Sequence, residues 1–231
     1  METAGVRRQR SAFTLVELLV VIGILSVLAG ISLPVFNRAK RSAKQSACLS
    51  NVRQLGAAIA IYQGFYDGYF PNAVNPVDRA EPQGWSSQPA WEAEIPSMPL
   101  FRDVMLPYVK DPEVFHCPLD NGTNISDDSK GDTFVSSPSL FLQYGSSYDY
   151  RSLVAFEQLA DTAFRAPASV PVLNDATGAW HGGRPLVVSD FDDMDRVLSV
   201  ERDFRYNTLF ADSHAMLLTY DQIEAAELIT P

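Results

Sequence analysis

Apolar residues dominate one unbroken block near the start of this chain. From Phe13 to Phe36 only Thr14, Glu17, Ser26 and Ser32 are polar, with Gly23, Gly30 and Pro34 as small or helix-bending positions. As a helix these 24 residues span roughly 36 Å, enough for the hydrocarbon core of a bilayer. Beyond Pro34 the pattern turns from continuous to periodic. Cys48, Val52, Leu55, Ile59, Tyr62 and Tyr66 recur at alternating steps of four and three, with Arg53, Gln54 and Gln63 off the stripe. The two patterns together predict one helix from Phe13 to about Phe65, roughly 80 Å long, whose second half lies on a sheet. Asp67-Gly68-Tyr69-Phe70-Pro71 reads as its exit turn.

Downstream the signals shorten. Residues 72–99 hold Pro76, Pro82, Pro89, Pro96 and Pro99 with Trp85 and Trp91, a loop composition with aromatic anchors. A short helix is expected over 99–109, and 120–132 is polar enough for an exposed loop. Asn121 and Asn124 open Asn-x-Ser/Thr matches that we read as chance. Strands are expected at Ser146–Tyr150, Val170–Asn174 and Pro185–Ser189. A hairpin is expected with arms Asn207–Ala211 and His214–Thr219 around Asp212-Ser213. Asp221 is the expected cap of a closing helix running to Leu228.

Composition narrows the class. The length of 231 residues leaves room for one globular domain after the helix, and 15 prolines with 13 glycines favour a loop-rich body over a helical bundle. Arg38, Lys40, Arg41 and Lys44 form a basic cluster just past the apolar block, placed to touch lipid headgroups or acidic patches of neighbours. From residue 45 onward 26 acidic side chains face 11 basic ones, a balance that argues against nucleic acid as a partner.

Glu17 is the residue a simple anchor does not explain, because a carboxylate inside a spanning helix costs about 2.5–3.5 kcal/mol on insertion scales. Ala12-Phe13-Thr14-Leu15-Val16-Glu17 behind Arg7, Arg8 and Arg10 resembles the cleavage and methylation signal of type IV prepilins and type II secretion pseudopilins. That resemblance implies a cut between Ala12 and Phe13 by a prepilin peptidase on the cytoplasmic side, N-methylation of Phe13, and Glu17 as the fifth mature residue. There the Glu17 carboxylate would meet the amino-terminal charge of a neighbouring subunit during assembly. Pro34 falls where pilin helices commonly carry a helix-kinking proline. Ala12 departs from the glycine usual before the cut. An ordinary secretory signal ending at Val27-Leu28-Ala29 is the competing reading, which Glu17 and the apolar residues continuing to Phe36 oppose.

Cys48-Leu49-Ser50-Asn51-Val52-Arg53-Gln54-Leu55-Gly56, followed by Asp67-Gly68-Tyr69-Phe70-Pro71, resembles a bacterial subgroup of pilin-like chains. That subgroup also carries a Cys-Pro pair and a C-terminal His-Gly-Gly and Asp-Gly-His box. The counterparts here are Cys117-Pro118, His181-Gly182-Gly183 and Asp212-Ser213-His214, with 184–206 looking like an insertion rich in Asp190, Asp192, Asp193 and Asp195.

The resemblance implies an α+β, pilin-like chain: a leader over 1–12, a transmembrane and filament-core helix over 13–36, and an exported domain over 37–231. Its first stretch, 37–66, is the amphipathic half of the helix, packed on an antiparallel sheet with irregular loops. It also implies a single-pass protein of the bacterial inner membrane with its C-terminal domain exported. The implied partners are the prepilin peptidase, other pilin or pseudopilin subunits and an inner-membrane assembly platform. Outside the cytoplasmic membrane Cys48 and Cys117 could pair, closing a loop worth about 4 kcal/mol in the chain-entropy account, or remain buried thiols. Major pseudopilins hold calcium near the C-terminus, so the oxygen-rich loops at 120–132 and 190–195 make Asp120, Asp190, Asp192, Asp193 and Asp195 candidate ligands, although neither loop matches an EF-hand.

His116, His181 and His214 with Asp175 and Asp212 show no metal or hydrolase spacing, and enzymatic activity is not expected. Two functions remain. One is a structural subunit of a type II secretion-like or type IV pilus-like filament. The other is a minor pilin or membrane-tethered module that recognises cargo or a surface through 72–99 and the acidic stretch.

Overall fold

Between Leu15 and Phe65 the chain has no helix-breaker except Pro34, and in the computed structural model these residues form α1 (Leu15–Phe65). Residues 15–122, 138–184, 186 and 193–227 are described. The chain divides into two units, Met1–Ser42 and Ala43–Pro231.

In the first unit, every described residue of α1 is exposed. Pro34 sits inside the helix and has no N–H to give the Gly30 carbonyl one turn back.

The second unit is built on the stripe. Cys48, Val52, Leu55, Ala58, Ile59 and Tyr62 are buried in one core with residues of a four-stranded antiparallel sheet. The sheet order is β1 (Tyr148–Tyr150), β2 (Pro171–Asp175), β3 (Arg205–Phe210), β4 (Ala215–Thr219). Pro171 opens β2, where a missing N–H costs least, beside a bulge between Pro171 and Leu173. Gly56 lets α1 approach β3: a Cβ there would stand 2.6 Å from Leu209 Cδ1. Tyr148 and Tyr150 point into the core from β1, and their hydroxyls donate to the carbonyls of Cys48 (3.3 Å) and Pro71 (2.9 Å). This is the expected α+β arrangement of a long helix on an antiparallel sheet.

Four expectations need correction. Tyr66 is not on the buried stripe; it is 49% exposed, because α1 ends at Phe65 and the chain turns away. Residues 72–99 are not plain loop but a string of short helical pieces, including α2 (Pro76–Ala80), a 3-10 turn Pro82–Trp85 and α3 (Pro89–Glu94). Each of these begins with a proline, which suits a first turn whose N–H has no partner anyway. The 184–206 stretch supplies α7 (Met194–Glu201), whose Val197 and Val200 join Leu186 and Phe204 in a second small core. Finally, the closing helix α8 (Tyr220–Glu227) is capped by Thr219 rather than Asp221. Thr219 Oγ1 accepts from Gln222 N at 3.3 Å while Gln222 Oε1 accepts from Thr219 N at 2.9 Å, a reciprocal capping box. The strand expected at Pro185–Ser189 lies outside the described residues except for buried Leu186.

The remaining short helices are α4 (Phe101–Met105), α5 (Leu140–Tyr144) and α6 (Ser152–Phe156). Trp85 and Trp91 both pack on the ring of Phe156, which ends α6, at 5.0 Å. Trp85 Nε1 also donates to Asp78 Oδ1 at 2.8 Å.

Candidate functional site

The apolar half of α1 is the most exposed feature of the chain. Leu15, Val16, Leu18, Leu19, Ile22, Leu25, Ile31 and Phe36 are all more than half exposed. At about 1.5–3 kcal/mol per buried side chain, covering this surface is worth tens of kcal/mol, so water is not its working environment. It is one helix long and apolar enough to cross a membrane. Glu17 lies in its first described turn and Pro34 near the far end of the apolar block. Ala12 and Phe13 lie outside the described residues.

Where α1 meets the body, one short segment stitches the two together. Cys48 and Cys117 are joined by a disulfide across a separation of 69 residues. On either side, Lys44 Nζ donates to the Pro118 carbonyl at 2.9 Å and Asn51 Nδ2 to the His116 carbonyl at 2.8 Å. Asp120 holds this segment from behind. Its carboxylate accepts from Gly122 N (2.9 Å), Leu140 N (3.0 Å), Phe141 N (2.9 Å) and Ser147 Oγ (2.7 Å), and Ser147 Oγ accepts from Cys117 N at 3.0 Å. Four donors use the lone-pair directions a carboxylate has, so Asp120 acts here as a hydrogen-bonding hub. Asp193 caps α7 by accepting from Asp195 N at 3.0 Å, and Asp195 sits in the first turn of α7. Asp190 and Asp192 lie outside the described residues.

The three histidines do not converge on one site. His116 pairs with Glu113 (3.2 Å) and stacks on Phe141. His214 pairs with Asp212 in the β3–β4 turn and stacks on Phe210. Burial would raise the Asp212 carboxyl, but the hydrogen bonds and charge of His214 outweigh it and hold the group below its ordinary range. His181 is different. Its side chain and that of Asp175 are fully buried, with Nε2 3.1 Å from Asp175 Oδ2, 3.0 Å from Asn207 Nδ2 and 3.7 Å from Cys117 Sγ. Burial pushes the Asp175 carboxyl up even though His181 and Asn207 pull it down. Sequence reasoning missed this cluster, since no spacing marks it. The one available signal was that His181-Gly182-Gly183 puts two glycines behind a histidine; a Cβ on Gly182 would stand 2.1 Å from the Asp203 carbonyl oxygen, so the chain passes close there.

A second polar site lies at the sheet edge. A cavity of about 400 Å³ is lined by Asn75, Asp78, Trp85, Asp149, Arg151 and Asn174 among others. The Asp149 carboxyl is pushed up to about 7, by burial first and then by the charges of Asp78 and Asp175.

Residues 7–33 match the model of the prokaryotic N-terminal methylation motif. No curated protein and no solved structure matches the chain. The matched stretch takes in the arginine leader, Glu17 and the exposed apolar turns of α1. It supports a type IV pilin-like prepilin signal, found on structural subunits, at the head of the one helix among the described residues that is long and apolar enough to cross a membrane.

Proposed function

We propose that this chain is a structural subunit of a pseudopilus or pilus. A prepilin peptidase cuts it between Ala12 and Phe13 and methylates the Phe13 amine. The mature chain waits in the bacterial inner membrane with its body exported, then leaves through an assembly platform to stack with other pilin or pseudopilin subunits. One observation carries the reading: a methylation motif over 7–33 overlaps an apolar helix whose large side chains are exposed.

The physical logic runs through α1. Inside the membrane its apolar side chains are solvated by lipid; in a filament the same side chains pack against equivalent helices, so extraction exchanges one apolar environment for another. The Glu17 carboxylate is disfavoured in the first and meets the amino-terminal charge of a neighbour in the second, which gives the exchange a direction. Repeated head-to-tail contacts of this kind do not close and generate a fibre. A load along α1 passes to the body at the Cys48–Cys117 bridge and its flanking hydrogen bonds. The islands around Cys48 and His181 favour the secretion pseudopilin over the surface pilus.

Mass spectrometry of the mature N-terminus tests the proposal. A chain beginning at methylated Phe13 is expected. A chain beginning at Gly30, or an uncut one, would sink it.

A further inference from the structure

The cavity at the sheet edge contains a carboxylate for which the fold supplies no counterpart. Tyr148 and Tyr150 are buried in the core, so the pleat turns Asp149 between them to the opposite face of β1. There it lines the cavity of about 400 Å³ with Asn75, Asp78, Trp85, Arg151 and Asn174. The other carboxylate of the lining is held on both oxygens. Asp78 Oδ1 accepts from Trp85 Nε1 at 2.8 Å, and Oδ2 accepts from Asn75 Nδ2 at 2.9 Å. Asp149 differs: among the described residues no hydrogen bond and no cation contributes to its ionisation, and the charged groups acting on it are Asp78 from α2 and Asp175 from β2, both acidic.

Across the ladder Asp149 is paired with Asn174, so the two side chains share one face of the sheet. Asn174 Nδ2 donates to the Asp175 carbonyl at 3.0 Å, which leaves Oδ1 as an acceptor on that face. The hydrogen-bonding capacity left over around Asp149 is thus a carboxylate and an amide oxygen, with the remaining lone pairs of Asp78 beside them. An ammonium group is the complement: three donors, a positive charge and no acceptor. The charge agrees as well. Asp78 and Asp149 against Arg151 leave the lining one negative charge in excess, which one ammonium balances. A phosphate or carboxylate ligand would add to the excess instead.

We propose that this cavity binds a primary ammonium group, seated between the Asp149 carboxylate, Asn174 Oδ1 and the held carboxylate of Asp78. With only acidic neighbours the Asp149 carboxyl keeps its proton up to about pH 7. An arriving ammonium favours the ionised form, so uptake below pH 7 releases that proton to solvent, and affinity falls as the pH drops through 7. The ammonium can be that of a small aliphatic amine or of a lysine side chain on another protein, since the chemistry is the same. This inference stands independently of the filament reading.

The test is thermal unfolding of the full chain in detergent micelles, with 100 mM ethylammonium chloride compared against 100 mM tetramethylammonium chloride. The two salts match in charge and ionic strength, but only ethylammonium has N–H donors. For a ligand of three heavy atoms a Kd on the order of 1 mM is expected, so at pH 8 ethylammonium should raise the melting temperature by about 5 °C over tetramethylammonium. At pH 6 a tenfold weaker affinity should cut the difference to about half. Asp149→Asn, which removes the charge at nearly constant volume, should abolish the difference at both pH values. An equal concentration of Nα-acetyl-lysine amide separates the sources: a larger shift than ethylammonium assigns the site to a lysine side chain, an equal or smaller one to a free amine, and either supports the proposal. Equal shifts from ethylammonium and tetramethylammonium at pH 8, or a difference that persists in Asp149→Asn, overturns it. If Asp149→Asn does not fold, the comparison of the two salts on the wild type at pH 8 and pH 6 decides alone.

Discussion

Asp149 sits at the centre of β1 opposite Asn174 of β2, with no basic residue among the causes that set its charge. Burial, then the charges of Asp78 and Asp175, raise its carboxyl from 3.8 to about 7. A carboxyl held higher in the folded state than in the unfolded chain binds its proton more tightly when folded. Its contribution is therefore fully present below pH 4 and is lost as the pH climbs through 7. At 1.36 kcal/mol per unit the loss has an upper bound of about 4 kcal/mol; partial access to water at the cavity mouth brings our expectation to about 2 kcal/mol. Asp149→Asn removes the charge at nearly constant volume. At pH 8 it is expected to raise the melting temperature by about 4–8 °C, and at pH 4 to change it little. Asp175 stands in both chains, but its charge acts on Asp149, so the gain at pH 8 includes relief of that repulsion. Thermal unfolding followed by circular dichroism at the two pH values checks this. No gain at pH 8, or an equal gain at pH 4, would refute the electrostatic account.

Three further outcomes are expected. Glu17→Gln should leave membrane insertion intact or improved while impairing assembly, scored by the ratio of membrane-bound to filament-incorporated chain; efficient incorporation removes the role assigned to Glu17. Replacing Cys48 and Cys117 together with serine should cost about 4 kcal/mol through the freed loop, read as a lower denaturant midpoint with a larger m-value, because the uncrosslinked unfolded chain exposes more surface. Ser213 holds φ +70° in the β3–β4 turn, so Ser213→Gly should stabilise by about 1 kcal/mol and raise the melting temperature by about 2–4 °C; no change would mean the Asp212–His214 contacts already absorb the strain.

Legibility followed the range of the interactions. The prolines of 72–99 show how one signal serves two structures: Pro76, Pro82 and Pro89 contribute to a loop composition, yet each stands at a helical first turn. Thr219 and Gln222 carried a capping box that the acidic Asp221 between them obscured. Tyr66 kept the rhythm of the stripe after the helix that gives the rhythm meaning had ended.

Alternation and helical period are local properties, so the chain by itself determined the apolar block, the amphipathic half of α1, and the β3–β4 hairpin, but not its turn: Phe210 N donates to the His214 carbonyl, so the link runs over Ala211, Asp212 and Ser213 rather than the expected two residues. The methylation motif is equally local, a contiguous run over residues 7–33. Tertiary structure decided what those elements hold. Asp120 became a hub only because α5 and β1 brought Leu140, Phe141 and Ser147 to it. The His181 cluster joins α1, the 116–118 segment, β2 and β3, with 64 residues between Cys117 and His181. No repeat or spacing encodes such a meeting; it exists because burying the stripe of α1 on the sheet leaves that one place for the four segments to share.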